Sequence, residues 1–350
     1  MAFDDIVGNS RVKKILRRSL ERGRVPNSLL FAGPEGVGKR QTALVVAKAL
    51  NCLRKTDDAC EECDHCRLIN SGNMPDVIEV DVKDLRPDRD SARDEPEAEG
   101  DESGEAGRDT IGIKTMRGIK ELVHLRPMSG RSRVFIINEA EKMTADAANS
   151  HLKILEEPPL FSTIILISEN PSLILPTIKS RCQVLNFLPI PDEDIERVLL
   201  GRGIEKGRAR IMASLVHGNL EAASSLDWDD IERRRREAWD LFDSVIGERE
   251  SSLFLRSFAY KRRNAVQKDL TETLELFSSF GRDLLLLKVN GGSALLFNPD
   301  YEPELAAAER RLGLEPTLRF LGQTDRALAN LDRSLNTNLL VSSFYSQARG

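Results

Sequence analysis

Residues 33–40 read Gly-Pro-Glu-Gly-Val-Gly-Lys-Arg, directly after the apolar run Leu29-Leu30-Phe31 and directly before a helical pattern over 39–51. That placement constrains the fold more than any other feature of the chain. Glycines at a strand-to-helix turn let backbone N–H groups wrap a phosphate, and Lys39 stands where it can reach the terminal phosphates. Such a turn needs a buried strand on one side and a helix on the other, so it dictates an α/β domain. Four more apolar runs agree: Val77-Ile78-Glu79-Val80, Val134-Phe135-Ile136-Ile137, Ile164-Ile165-Leu166-Ile167 and Val184-Leu185-Asn186-Phe187. Near-continuous apolar strands belong to a parallel sheet covered on both faces. Helical patterns fall near 10–22, 39–51, 114–124 and 144–156, the last with Thr144 as N-cap and Pro158 as its stop. The pattern is α/β doubly wound.

The run Leu188-Pro189-Ile190-Pro191 interrupts regular pairing and reads as a hinge. Beyond it no strand pattern follows. Residues 192–226 fit three short helices; longer amphipathic helices are expected near 229–247, 251–262, 268–290, 302–313 and 316–348, with a break around 334. The expected division is an α/β P-loop domain over 1–188, a small helical lid over 189–227 and an all-α domain over 228–350. Aromatics of the last part, among them Trp239, Phe242, Phe254, Phe258, Phe277 and Phe280, read as core. The run Arg233-Arg234-Arg235-Arg236 reads as a solvated helix face, with a phosphate or partner patch as the other reading.

The chain has 350 residues, room for two or three domains, and a net charge of −5. The figure misleads. Residues 83–110 hold eleven acids, five bases and one large apolar residue, Leu85, so the remaining 46 bases and 45 acids nearly balance. A segment so poor in apolar surface cannot offset its ordering entropy and reads as a flexible surface insertion, with a plain interdomain linker as the alternative. The near-neutral remainder argues against a protein that coats nucleic acid. No apolar stretch is long enough for a bilayer span and the N-terminus shows no secretory signal, which points to the cytoplasm.

The phosphate turn departs from its usual form at the positions that serve a metal ion. A hydroxyl residue ordinarily follows the lysine and ligates Mg²⁺; here Arg40 follows Lys39. The strand ending at Ile137 runs into Asn138-Glu139, where an aspartate for the same ion would precede a water-activating glutamate. The candidate nucleotide residues are Gly33, Gly36, Gly38, Lys39, Arg40, Asn138 and Glu139. Two losses on one ion predict a nucleotide-binding fold with little or no hydrolysis, because that ion neutralises charge developing on the phosphates. Whether Arg40 binds phosphate in the ion's place is left open at this level.

Four of the five cysteines, Cys52, Cys60, Cys63 and Cys66, cluster with spacing C-x₇-C-x₂-C-x₂-C. Clustering and an odd total argue against disulfides. Four thiolates suit a closed tetrahedral structural Zn²⁺ site; an iron–sulfur cluster and four unliganded thiols are the competing readings. His65 lies between ligands and is expected to be exposed. Cys182 reads as a small buried thiol. Beside it, Arg181 stands just before the last strand run, either in a surface salt bridge or as an arginine reaching a neighbour's phosphate.

Taken together, the chain resembles the AAA+ clamp-loader family of the bacterial DNA polymerase III holoenzyme. The resemblance is carried by Gly33 through Arg40, the four cysteines, Asn73-Met74-Pro75-Asp76 and Arg131-Ser132-Arg133. Further matches are Asn149-Ser150-His151-Leu152-Lys153-Ile154-Leu155-Glu156-Glu157-Pro158-Pro159 and Ser180-Arg181-Cys182. The C-terminal helices match loosely, around Asn336, Asn338 and Leu339. The resemblance implies a heteropentamer with gamma/tau-type and delta subunits that sets a sliding clamp on primer-template DNA. It implies Arg181 as a finger acting in trans on ATP held by the adjacent subunit, and a C-terminal domain that joins a collar. Catalytic subunits of the family keep Thr after the P-loop lysine, an acidic Walker-B residue and a sensor arginine near Gly218-Asn219-Leu220. Here Arg40, Asn138 and Glu221 stand instead, which implies a non-hydrolysing stator. Two other readings are an active gamma/tau-type ATPase and a zinc-containing P-loop adaptor outside replication.

Overall fold

The structure is a computed structural model and describes residues 1–54, 57–81, 119–246, 263–290, 296–331 and 337–348. The acidic insertion over 83–110, the helix expected over 251–262, Gly291-Gly292 and Asn336 lie outside the described residues. The described chain divides into two compact units, Met1–Ser224 and Ser225–Gly350.

In the first unit β1 (Ser28–Ala32), β2 (Val77–Val80), β3 (Arg133–Ile137), β4 (Ser162–Ser168) and β5 (Gln183–Asn186) form one sheet. Its order is β2-β3-β4-β1-β5 and every neighbouring pair is parallel. Every residue of the three inner strands β1, β3 and β4 is buried, which is why their sequences show no in-and-out alternation. Flanking helices are α1 (Ser10–Glu21), α2 (Lys39–Asn51), α3 (Asp64–Asn70), α4 (Ala145–Glu156) and α5 (Pro176–Lys179). Thr144 caps α4 as expected, its Oγ1 accepting the Ala147 N–H at 3.2 Å. Leu30, Phe135, Ile137, Ile164 and Leu166 of the sheet share one core with Ala147, Ala148, Ile154 and Leu155 of α4. The expected α/β fold, with a parallel sheet and a P-loop turn between β1 and α2, is the one observed. After the hinge come α6 (Asp192–Gly201), α7 (Lys206–Leu215) and α8 (Leu220–Ser225).

The registers set both ends of the sheet. Phe31 pairs with Ile167 and Ala32 with Ser168, so the phosphate turn leaves β1 at the carboxyl edge, the usual place for ligands in such sheets. At the opposite edge, Asp76 and Arg133 explain two of the sequence hallmarks. Asp76 is fully buried and accepts the N–H groups of Met128 (2.8 Å), Ser129 (2.7 Å) and Gly130 (2.7 Å) and Arg133 Nη2 (3.1 Å). Arg133 also donates to the carbonyls of Leu122 and Arg126 at 3.0 and 3.2 Å. One carboxylate and one guanidinium thus fold the loop that leads into β3. Burial raises the Asp76 pKa, but these donors outweigh it and hold the carboxyl below its ordinary value.

The second unit contains α9 (Trp228–Ile246), α10 (Arg263–Asn290), α11 (Glu302–Arg311), α12 (Leu314–Leu331) and α13 (Thr337–Ala348). Helix α10 already runs at Arg263, the first described residue of this stretch, rather than beginning at 268, since Arg-Asn-Ala-Val-Gln contains no breaker. Trp239, Phe242, Phe277 and Phe280 form its core, as expected, with Trp239 edge-on to Phe280 at 5.1 Å; Phe254 and Phe258 lie outside the described residues. The four-arginine run needs a correction. Arg233, Arg234 and Arg236 are solvated and paired with acids, but Arg235 is 1% exposed, bonded to Asp300 and Asn298. Position 235 falls on the same helical stripe as Ile231, Ala238, Trp239 and Phe242, so periodicity takes it inside. Among the described residues no helix is long and apolar enough to cross a membrane.

Candidate functional site

The turn from β1 into α2 is built for close backbone approach. Gly36 has φ 66°, and a Cβ there would lie 1.6 Å from Asn219 Oδ1; one on Gly33 would lie 2.4 Å from the Phe187 carbonyl oxygen. Gly38 is the N-cap of α2. Lys39 is 5% exposed, and its Nζ donates to the carbonyls of Gly33, at 2.7 Å, and Pro34. The lysine expected to meet terminal phosphates is therefore bonded to the turn itself. Burial lowers its pKa, against the opposing charges of Glu169, Glu141 and Glu35.

The two departures from the metal-binding pattern meet on one carboxylate. Arg40 donates from Nε to Glu79 Oε1 and from Nη2 to Oε2 at 2.6 Å. Asn138 Nδ2 donates to the same Oε1 at 2.8 Å. An aspartate at 138 would set a second negative charge against Glu79; the amide supplies a donor instead. Glu139 adopts the left-handed conformation, φ 49°, and its Oε1 accepts from Lys142 Nζ at 2.6 Å. Each of Arg40, Asn138 and Glu139 is thus engaged with a protein partner. Ser168, which the sequence reading passed over, ends β4 fully buried, and its Oγ has no partner among the described residues. Its only signal was its place directly after the fourth apolar run.

Helix α8 and the preceding turn pack onto the phosphate turn. Leu220 N–H donates to the Gly36 carbonyl at 3.1 Å, and Asn219 Oδ1 accepts the Ala222 N–H at 2.8 Å while lying against Gly36. Glu221 adds a negative charge near Arg40. Asn9 Nδ2 ties the Val37 carbonyl (3.3 Å) to that of Leu188 (3.1 Å), and its Oδ1 accepts Leu188 N–H at 2.8 Å. The phosphate turn is held by the N-terminal segment on one side and the post-hinge helices on the other.

Arg181 stands two residues beyond α5, 29% exposed, its Nε and Nη2 both on Glu156 Oε1 and its Nη1 on the Thr177 carbonyl at 2.9 Å. Neighbouring Cys182 is buried as expected, and burial pushes its thiol up to about 12.

Cys52 directly follows α2, Cys60 precedes α3, Cys63 is the α3 N-cap and Cys66 lies in the first turn of that helix, which is too short for its periodicity to show in the sequence. Their four sulfurs lie within 4.8 Å of one another, with Cys60 and Cys66 at 4.0 Å. Zinc–sulfur bonds of about 2.3 Å in a tetrahedron require sulfur–sulfur edges of about 3.8 Å, so the set fits the ion. All four are free of disulfides, and Cys52 and Cys66 are fully buried. Burial alone would raise the Cys63 thiol, but backbone donors of Leu53 and Cys66 and the adjacent thiols bring it to about 6. His65 is half-buried rather than exposed, with Nδ1 2.8 Å from the Asn51 carbonyl oxygen. Asn51 is also a residue the sequence reading missed. Its Oδ1 accepts the N–H groups of Arg131 (2.8 Å) and Ser132 (3.0 Å), tying the cysteine module to the entry of β3.

A family model described as "DNA polymerase III, delta subunit" matches residues 8–191. The chain is 28% identical over 334 residues to DNA polymerase III subunit delta' of Bacillus subtilis, spanning 95% of this chain and 92% of that protein. It is 32% identical over 235 residues to subunit tau of the same organism, spanning 64% of this chain but only 37% of that protein. Among solved structures, a DNA polymerase III gamma subunit-related protein of Thermotoga maritima aligns with 96% of this chain and 98% of its own, at 18% identity. That superposition is weak, with a TM-score of 0.40.

Proposed function

The chain belongs to the DNA polymerase III, delta subunit family, and we propose that it serves in a clamp loader as a subunit that does not hydrolyse ATP itself. The observation that carries this reading is the junction of Arg40 and Asn138 on Glu79. The two positions that would hold Mg²⁺ present N–H donors, and a single carboxylate uses both. Lys39 is bonded to the carbonyls of Gly33 and Pro34, and Asn219 lies against Gly36. Without the ion, charge developing on a transferring phosphoryl group is not neutralised.

In this reading the chain contributes to a neighbour's chemistry. Arg181 sits at the rim of the α/β unit and acts as a finger on ATP bound by an adjacent gamma/tau-type subunit. A guanidinium suits that task because it is permanently charged and bidentate towards phosphate. Gamma/tau-type and delta subunits are the partners, the helical second unit joins the collar, and the sliding clamp and primer-template DNA are reached through the complex at the cytoplasmic replisome. Cys52, Cys60, Cys63 and Cys66 hold a structural Zn²⁺, which leaves no protein position open for catalysis.

The test is reconstitution with gamma/tau-type and delta partners, clamp and primed DNA. The complex should hydrolyse ATP, and Arg181→Ala should leave assembly intact and slow that hydrolysis several-fold, since other subunits carry fingers of their own. Unaltered turnover with Arg181→Ala contradicts the finger assignment.

A further inference from the structure

The bonds around Arg181 have a pattern beyond a surface ion pair. A guanidinium carries five N–H donors. Nε–H and one Nη2–H go to Glu156 Oε1, and one Nη1–H goes to the Thr177 carbonyl. One donor on Nη1 and one on Nη2 are left over, the pair a phosphate needs for a two-point contact. We propose that Glu156 is a positioning residue: with the Thr177 carbonyl it fixes the Arg181 guanidinium in the free chain, so that the remaining two donors meet a phosphate held by the adjacent subunit. This rests on the finger reading of Arg181 given above.

Two further features support it. Glu156 is the last residue of α4, where the helix dipole disfavours an acid, so the carboxylate is not there for the helix. The pair is also open to solvent, with Arg181 29% and Glu156 46% exposed, so it adds little to folding and leaves the guanidinium accessible. Three-point tethering of a long side chain before assembly reduces the ordering required when the subunits meet, and places the charge where transferring phosphoryl groups develop theirs.

The experiment uses the reconstituted complex with the full chain carrying Glu156→Ala, Glu156→Gln, Arg181→Ala or the double substitution Glu156→Ala/Arg181→Ala. Assembly is checked by co-elution, and ATP turnover is measured against ATP concentration. Glu156→Ala should lower kcat to within about twofold of Arg181→Ala, with KM for ATP nearly unchanged. Glu156→Gln, which keeps an acceptor at the same reach and is the variant least able to disturb folding, should fall between Glu156→Ala and the unsubstituted chain. The double substitution should be no slower than Arg181→Ala alone, because a positioning residue has nothing to act through once the arginine is gone. Unchanged turnover with Glu156→Ala, beside a real loss with Arg181→Ala, overturns the inference and leaves the finger standing. Faster turnover with Glu156→Ala or Glu156→Gln also overturns it, since Glu156 would then shield the finger. An additive double substitution assigns Glu156 a separate structural role and overturns it as well. If Arg181→Ala itself has no effect, the finger reading fails and takes this inference with it.

Discussion

At one end of α2, Gly38 and Lys39 lie in a phosphate turn whose expected cation positions are taken by Arg40 and Asn138; at the other end, Cys52 opens a set of four thiols with no member missing. One helix therefore joins a turn in which two expected cation ligands are replaced, by Arg40 and Asn138, to a cluster of four thiols that fits a structural ion. The surroundings differ in the same sense. At the cysteine end, Asn51, Asp76 and Arg133 are buried and bonded to several backbone groups. At the phosphate end, the Arg40–Glu79 pair is solvated, with Arg40 53% exposed. The cysteine end is committed to stability. The phosphate end keeps the shape of a nucleotide turn but ties Arg40 and Asn138 to Glu79, and it should tolerate change far better.

The largest effect that would sharpen this contrast is loss of the metal. Purified protein should carry zinc at close to one ion per chain. Cys66→Ser should release it and destabilise the first unit strongly, because binding energy on the order of 10 kcal/mol is folding energy in such sites. A zinc-free chain that melts no earlier than the metal-bound one would erase the distinction between the two ends.

Next comes Asp76→Ala, which strands a buried arginine and three backbone N–H groups. It should cost about 3–5 kcal/mol by denaturant unfolding. The folded carboxyl lies below its ordinary value, so its contribution is fully present above about pH 4 and is lost as pH falls through the folded-state value. The gap between the substituted and unsubstituted chains should therefore narrow in acid. A gap that stays constant from pH 7 to pH 3 would mean the carboxylate's charge does not matter.

The smallest effect belongs to the phosphate end. Glu79→Ala removes the partner of both Arg40 and Asn138, yet should shift unfolding by about 1–2 kcal/mol, since the exposed guanidinium rehydrates and only the buried Asn138 amide is left without an acceptor. A loss as large as that of Asp76→Ala would show that both ends are structural in the same way.

What the sequence made legible follows the range of each interaction. The buried strands, the phosphate turn and the cysteine spacing are local patterns, and the structure places them where the residues alone put them. Partnerships across the chain were not legible. Glu79 lies far along the chain from both Arg40 and Asn138, and its one signal was a charge interrupting an apolar run. Asp76 and Arg133 were visible as motif letters, but only the pairing of β2 with β3 brings them together. Arg235 was hidden by its three solvated neighbours, although the apolar stripe of α9 already placed it inside. The short helix α3 fell below the length at which periodicity can be read.

The central claim is that this chain lacks ATP hydrolysis of its own because protein donors occupy the cation positions of its nucleotide turn. The direct measurement is steady-state ATP turnover by the purified, zinc-loaded chain with Mg²⁺, free of other ATPases. Turnover below about 0.1 s⁻¹, beneath the low end of ordinary enzyme rates, and unchanged by Glu79→Ala is the predicted result. Mg²⁺-dependent turnover clearly above that level, abolished by Lys39→Ala, would contradict it.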